Sequence, residues 1–244
     1  MIAGVELRKQ RALGDLVSNS FTILFAHWRQ LASIAVPAVV VGLAYSLVTL
    51  LVEDSIALTA LVGILSLPLS FLMFVLVGGG TVTYLDQVDR GQPATPADAL
   101  DAAQARLPVL AGAALRSTAI VLVLAITVIG IPFAVYRAVR WAFLSQSIMI
   151  DSQRGEAVLA HSAGLVQGVW WVTLGRLIVS GIVVGVPALV LSQLILLAFP
   201  GVIGTVIAAA PGFITIPYAI IFTTLIFFDR KGRKGDDDLA GPAR

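Results

Sequence analysis

IPFAVYRAVRWAFLSQSIMID, running from Ile131 to Asp151, is the stretch whose reading decides the fold. Between Phe133 and Ile150 it is apolar enough to cross a bilayer, yet it carries Arg137 and Arg140, three apart and so on one face of a helix. An arginine at the centre of a membrane helix costs at least about 2.5 to 3.5 kcal/mol, so each needs a route to the interface or a partner. What flanks the stretch settles whether it is a span.

Upstream, Gly130-Ile131-Pro132 forms a tight turn, and Val109 to Ile129 is apolar apart from Arg116. The two runs read as a hairpin of two spans. The whole chain supports that environment: 58% of its 244 residues are hydrophobic, 12% are charged and the mean hydropathy is +0.96. Soluble domains carry about 25% charged residues. Long uncharged runs match the ~20 residues a helix needs to cross the hydrocarbon core, and the ten-residue alternation of a membrane β-barrel is missing.

The expected fold is all-α: six transmembrane helices in three hairpins, each hairpin preceded by an amphipathic helix in the membrane interface. The spans fall at 31–52, 56–85, 109–129, 133–150, 172–199 and 202–228. Residues 1–30 form an N-terminal interfacial segment, 31–229 the membrane domain and 230–244 a disordered tail. Pro68 and Gly78-Gly79-Gly80 predict a kink or an unwound point in the long second span. Thr95-Pro96-Ala97-Asp98 reads as a helix start, with Thr95 as the cap. The interfacial helices begin near Gly14, Thr95 and Gly155, and Trp28, Trp141, Trp170 and Trp171 are the expected anchors at headgroup level. Ala38/Gly42/Ser46 and Gly181/Gly185 have the small-residue spacing of close helix packing.

Orientation follows from the basic residues. Arg8, Lys9, Arg11, Arg29, Arg90, Arg106, Arg154, Arg230, Lys231, Arg233, Lys234 and Arg244 fall on one side of this topology, and the three opposite turns hold no Lys or Arg. The positive-inside rule makes both termini cytoplasmic. No removable signal peptide is evident in the first thirty residues, which already contain Glu6, Arg8, Lys9, Arg11, Asp15 and Arg29.

Catalytic chemistry is not expected. The chain has no cysteine, its two histidines, His27 and His161, lack companion ligands, and there is neither a nucleophile elbow nor a glycine-rich phosphate loop. Glu156 and His161 are five apart and do not share a helix face, so a relay through Ser162 is not expected. No metal or cofactor is implied. The candidate ligand-binding residues are Arg116, Arg137, Arg140 and Arg176. No carboxylate lies within a span, since Glu53, Asp54, Asp86, Asp151 and Asp229 sit at span ends. The arginines then face either an anionic ligand, most simply a lipid phosphate, or Ser117, Thr118, Ser145, Gln146, Ser147 and backbone carbonyls freed near Pro132.

Arg140-Trp141, an apolar run to Asp151, then Glu156, Ala157, Ser162, Leu165, Gly168, Trp170-Trp171 and the closing Phe227-Phe228-Asp229-Arg230 resemble the membrane domain of glycerophosphoryl diester phosphodiesterases. The chain is also similar to related stand-alone six-span inner-membrane proteins of unknown activity. That resemblance implies a bacterial or archaeal cytoplasmic membrane. The phosphodiesterase barrel of the fused relatives has no counterpart here, so their activity does not carry over.

The leading expectation is a non-enzymatic protein binding anionic lipid or a related amphiphile in an arginine-lined cavity. A small-anion transporter or channel, prompted by Pro68, the three glycines and Pro211, is one alternative; a scaffold for membrane proteins is the other. Membrane lipids are the expected partners, nucleic acid is not, and protein partners are left open.

Overall fold

The structure is a computed structural model that describes residues 2, 4–52 and 54–240, with side chains as far as Lys234. Glu53 and Arg244, both used in the sequence reading, lie outside the described residues. Among those described there is no β-strand, only an isolated bridge between Ile2 and Val5.

The helices are α1 (Leu13–Ala26), α2 (Trp28–Leu51), α3 (Ile56–Asp89), α4 (Pro96–Ala105), α5 (Leu107–Ala125), α6 (Ile131–Arg140), α7 (Leu144–Met149), α8 (Glu156–Val166), α9 (Trp170–Ser180), α10 (Val186–Ala198), α11 (Val202–Ala208) and α12 (Gly212–Ala240). Among the described residues five stretches are long and apolar enough to cross a membrane: Trp28–Leu51, Ile56–Asp89, Leu107–Ala125, Trp170–Ala198 and Val202–Lys234. Their sides stay exposed, with Leu65, Leu122, Leu189 and Leu197 at 67%, 59%, 61% and 81%. Water would not tolerate so much apolar surface; lipid does. The chain is a membrane-embedded all-α protein.

The 133–150 stretch is not a straight span. It is broken into α6 and α7 by a turn at 141–143, which leaves six-residue α7 steeply shortened. Ser162 stabilises the break, its Oγ accepting from Phe143 N at 3.2 Å and donating to Arg140 O at 2.9 Å. Two polar bonds from α8 thereby satisfy backbone groups that a continuous helix would have paired. Arg106 Nη1, at the start of α5, donates to Ile148 O at 2.7 Å, so the end of α7 lies beside the beginning of α5.

Elsewhere the interruptions also fall away from their expected places. Pro68 and the three glycines lie inside one unbroken 34-residue helix, about 51 Å long. The glycines are buried and admit neighbours: a Cβ on Gly79 would meet Leu110 Cδ1 at 2.8 Å and Ala103 Cβ at 3.1 Å, and one on Gly80 would meet Leu100 at 3.1 Å and Ile34 at 3.3 Å. They form a crossing point for α2, α4 and α5, not a hinge. Gly181 and Gly185 have open space around them and bound a π-helical segment, Gly181–Gly185, joining α9 to α10. Pro187 has no N–H for Val183 O, and the widened ladder lies at that gap. The predicted sixth span is divided between α11 and α12 at 209–211, and α12 continues to Ala240 where a disordered tail is expected from 230. Thr95 does cap α4, accepting from Asp98 N at 3.1 Å, with Pro96 as the first residue.

Burial concentrates at one end of the molecule. Leu7, Leu16, Ile23, Leu31, Leu85, Phe143, Phe222 and Phe227 are fully buried together, joining the N-terminal segment and α1 to the ends of α3 and α12. This packed layer fixes the positions of the charged groups described next.

Candidate functional site

The four arginines singled out by the sequence are engaged separately. Arg176 is buried, and its Nη1 donates to Asp229 Oδ2 at 2.5 Å. Arg116 pairs with Glu156 Oε1 at 3.1 Å, both side chains being exposed. Arg137 lies over the Trp141 ring at 5.4 Å from its centroid, and Arg140 over Tyr136 at 5.4 Å. Arg140 Nη1 also reaches the Tyr136 hydroxyl at 3.4 Å. Asp229, at a span end, and Glu156, at the start of α8, therefore reach two of the arginines from neighbouring helices. Among the tryptophans, Trp28 and Trp171 are exposed, Trp28 lying beneath Arg29 at 5.5 Å. Trp170 Nε1 donates to Tyr136 O at 3.2 Å, tying α9 to α6.

Asp229 is the centre that sequence reasoning missed. It is 0% exposed and accepts from Arg176, from Arg11 N at 2.8 Å and from Arg233 Nε at 3.1 Å. Arg176 Nη2 in turn donates to Arg11 O at 3.3 Å. The Arg11 guanidinium turns back onto Leu7 O and Lys9 O at 2.9 Å each, and onto Glu6 O. Burial pulls the Arg11 guanidinium below its ordinary value, opposed chiefly by the charge of Asp229. A buried carboxylate surrounded by cations is fully satisfied, so this cluster ties the N-terminal segment to α9 and α12. The signal available was depth: Arg176 is near the start of α9 and Asp229 near the end of an adjacent, oppositely directed apolar run.

His161 meets neither Glu156 nor Ser162. Its Nδ1 is 3.0 Å from Ser147 Oγ, and its Nε2 is 3.2 Å from Asp151 Oδ2. Lys231 bonds the other oxygen of Asp151. Serine, histidine and aspartate adjoin here, but Ser147 is fully buried and its Oγ donates to Phe143 O at 2.8 Å. These contacts brace α7, α8 and α12 against one another.

A cavity with both polar and apolar lining lies between α3, α5, α7 and α12 and measures about 550 Å³. Phe71, Phe74, Val75 and Leu110 give it apolar walls; Ser117, Thr118, Ser145, Gln146, Thr215 and Thr223 add hydroxyl and amide groups. None of its lining residues is charged. Thr223 precedes Asp229 by six residues, about 9 Å along α12, which sets the cavity within the apolar belt next to the packed charged layer. Ala38, Gly42 and Ser46 line another cavity, of about 580 Å³, facing α11 and the start of α12. Among the described residues no group of three or more His, Cys, Asp or Glu could hold a metal ion.

No family model, curated protein or solved structure matches the chain.

Proposed function

We propose that this chain is a six-crossing, non-enzymatic protein of a bacterial or archaeal cytoplasmic membrane, and that it holds a membrane lipid or related amphiphile between its helices. The contact of Arg11 with Asp229 supports an even number of crossings, since it places the N-terminal segment beside the end of α12. Five long stretches alone would separate those ends. The broken arm α6–α7 supplies the sixth crossing: 131–149 spans about 28 Å if helical throughout, and its end returns to the start of α5 at Arg106. The weighting of Arg and Lys supports cytoplasmic termini, and the resemblance to the phosphodiesterase membrane domain supports six helices in a bacterial or archaeal cytoplasmic membrane.

The single observation that carries the ligand reading is the 550 Å³ cavity, whose lining mixes apolar side chains with hydroxyl and amide groups. Ligand sites have this size and mixture, and lipid is the amphiphile always available there. The arginines expected to line such a site instead have partners of their own. Purification in mild detergent followed by native mass spectrometry tests it. Wild type retains lipid, and Ala114→Trp, which fills the cavity, loses most of it. Equal retention by both proteins, or none by wild type, refutes the reading. Because the chain lacks cysteine, single cysteines at Gly91 and Val128 report topology: cytoplasmic labelling of the first and external labelling of the second are expected.

A further inference from the structure

We infer that the amphiphile in the cavity between α3, α5, α7 and α12 carries an anionic, phosphate-bearing head, and that Arg137 holds this head beside Trp141. The inference rests on the amphiphile reading above and specifies its head. Trp141 lines the cavity from the turn between α6 and α7. The Arg137 guanidinium lies over its ring, 5.4 Å from the centroid, so a cation stands against the cavity wall although no charged residue forms part of the lining. An indole face attracts a cation but neutralises no charge, and it leaves guanidinium N–H groups to other acceptors. Among the described residues Arg137 has no ion-pair partner and donates no hydrogen bond. The other three arginines differ. Arg176 and Arg116 have Asp229 and Glu156, and Arg140 reaches the hydroxyl of Tyr136, a residue outside the cavity lining.

The surroundings of Arg137 call for an anion. The residue is exposed on α6, one turn from Phe133, which is also exposed, so the flank it occupies is apolar and faces lipid. A cation in hydrocarbon without a counter-charge is costly. The anion at hand in a bilayer is a lipid phosphate, whose several oxygens match the forked donors of a guanidinium. The cavity adds donors of its own. Ser145 and Thr118 line it, and among the described residues neither hydroxyl is hydrogen-bonded within the protein. Ser145 faces α3, since a Cβ on Gly78 would meet its Oγ at 3.6 Å. Phe71, Phe74, Val75 and Leu110 suit the chains, and a lipid whose chains lie among them brings its head to the indole on which Arg137 stands.

The test is competition on the intact, delipidated protein in mild detergent. Dioctanoyl phosphatidic acid and dioctanoylglycerol are offered at equal concentration, sharing chains and differing in the phosphate, and bound mass is read by native mass spectrometry. A preference for phosphatidic acid of about tenfold or more is expected, the scale of one charge-assisted contact. Arg137→Gln reduces that preference severalfold and leaves retention of dioctanoylglycerol unchanged, while Arg140→Gln keeps the wild-type preference. Equal or stronger retention of dioctanoylglycerol by wild type overturns the inference while leaving lipid holding intact. An unchanged preference in folded Arg137→Gln, or an equal loss in Arg140→Gln, overturns the assignment to Arg137. Inorganic phosphate is offered alone as a third probe, and its retention in place of phosphatidic acid assigns the site to a soluble anion and overturns the inference. Retention of neither lipid overturns both readings, and the wild-type competition decides on the head even if a variant does not fold.

Discussion

Replacing Asp229 by alanine removes the carboxylate at the centre of the charged cluster and leaves its partners in place. Asp229 is 0% exposed and the Arg176 side chain only 10%, so the guanidinium that loses its partner cannot turn to water without opening the packing. Arg176 keeps a single weak acceptor, Arg11 O at 3.3 Å, and Arg11 N loses its bond of 2.8 Å. Breaking a buried pair from one side costs about 3 to 5 kcal/mol. At roughly 2 to 4 °C per kcal/mol for a chain of this size, the melting temperature should fall by about 6 to 20 °C. Scanning fluorimetry of the tryptophans in detergent measures it. Removing both charges in Arg176→Met/Asp229→Leu should cost less than the sum of the single changes by about 1 to 3 kcal/mol, because neither partner is then stranded. A loss under about 1 kcal/mol for Asp229→Ala, or strict additivity, would show that the cluster is not the fastening described here.

Three further outcomes follow from other places in the fold. Gly80→Val drives a branched side chain into Leu100 and Ile34, 3.1 and 3.3 Å from the first added atom, and should cost about 1 to 3 kcal/mol. Gly112→Ala, with open space around it in α5, should instead raise the melting temperature, by up to about 1 kcal/mol of helix propensity. His27 Nδ1 is 2.9 Å from the Tyr84 hydroxyl, and burial holds the ring below its ordinary value. Above about pH 6.5 the ring is neutral in both folded and unfolded chains; below it the unfolded chain takes up the proton first, so stability falls on acidification. Melting temperatures measured on either side of that pH should diverge less in His27→Gln than in wild type, and identical slopes would exclude the contribution.

Much of the fold is legible in the residues because the bilayer imposes a simple rule. Backbone groups in hydrocarbon must be paired within the segment, so long uncharged runs become helices, and the runs from Leu31, Ile56, Val109 and Val172 do so nearly as read. Thr95-Pro96-Ala97-Asp98 carries its own helix start for an equally local reason. Helix breaks were less legible. Proline and glycine suggested interruptions at Pro68 and Gly78 to Gly80, but the helix runs on through both: Pro68 lies exposed within it, and the glycines are enclosed by neighbouring helices. The actual break at 141–143 depends on Ser162, nineteen residues beyond Phe143, accepting the freed Phe143 N–H.

The sequence by itself determined that the chain lives in a membrane and that its helices are long, apolar and sided by charge, since hydropathy and basic-residue placement act residue by residue. Only the tertiary structure decided what the charges do. Arg176 looked unneutralised because its partner, Asp229, is 53 positions away, and Gln146 looked like a structural partner for arginine, whereas its amide bonds Thr223 and Thr224. Electrostatic and hydrogen-bond pairing is set by distance in space and by which protons are already committed. Neither quantity is carried by spacing along a chain whose helices can be packed in many ways.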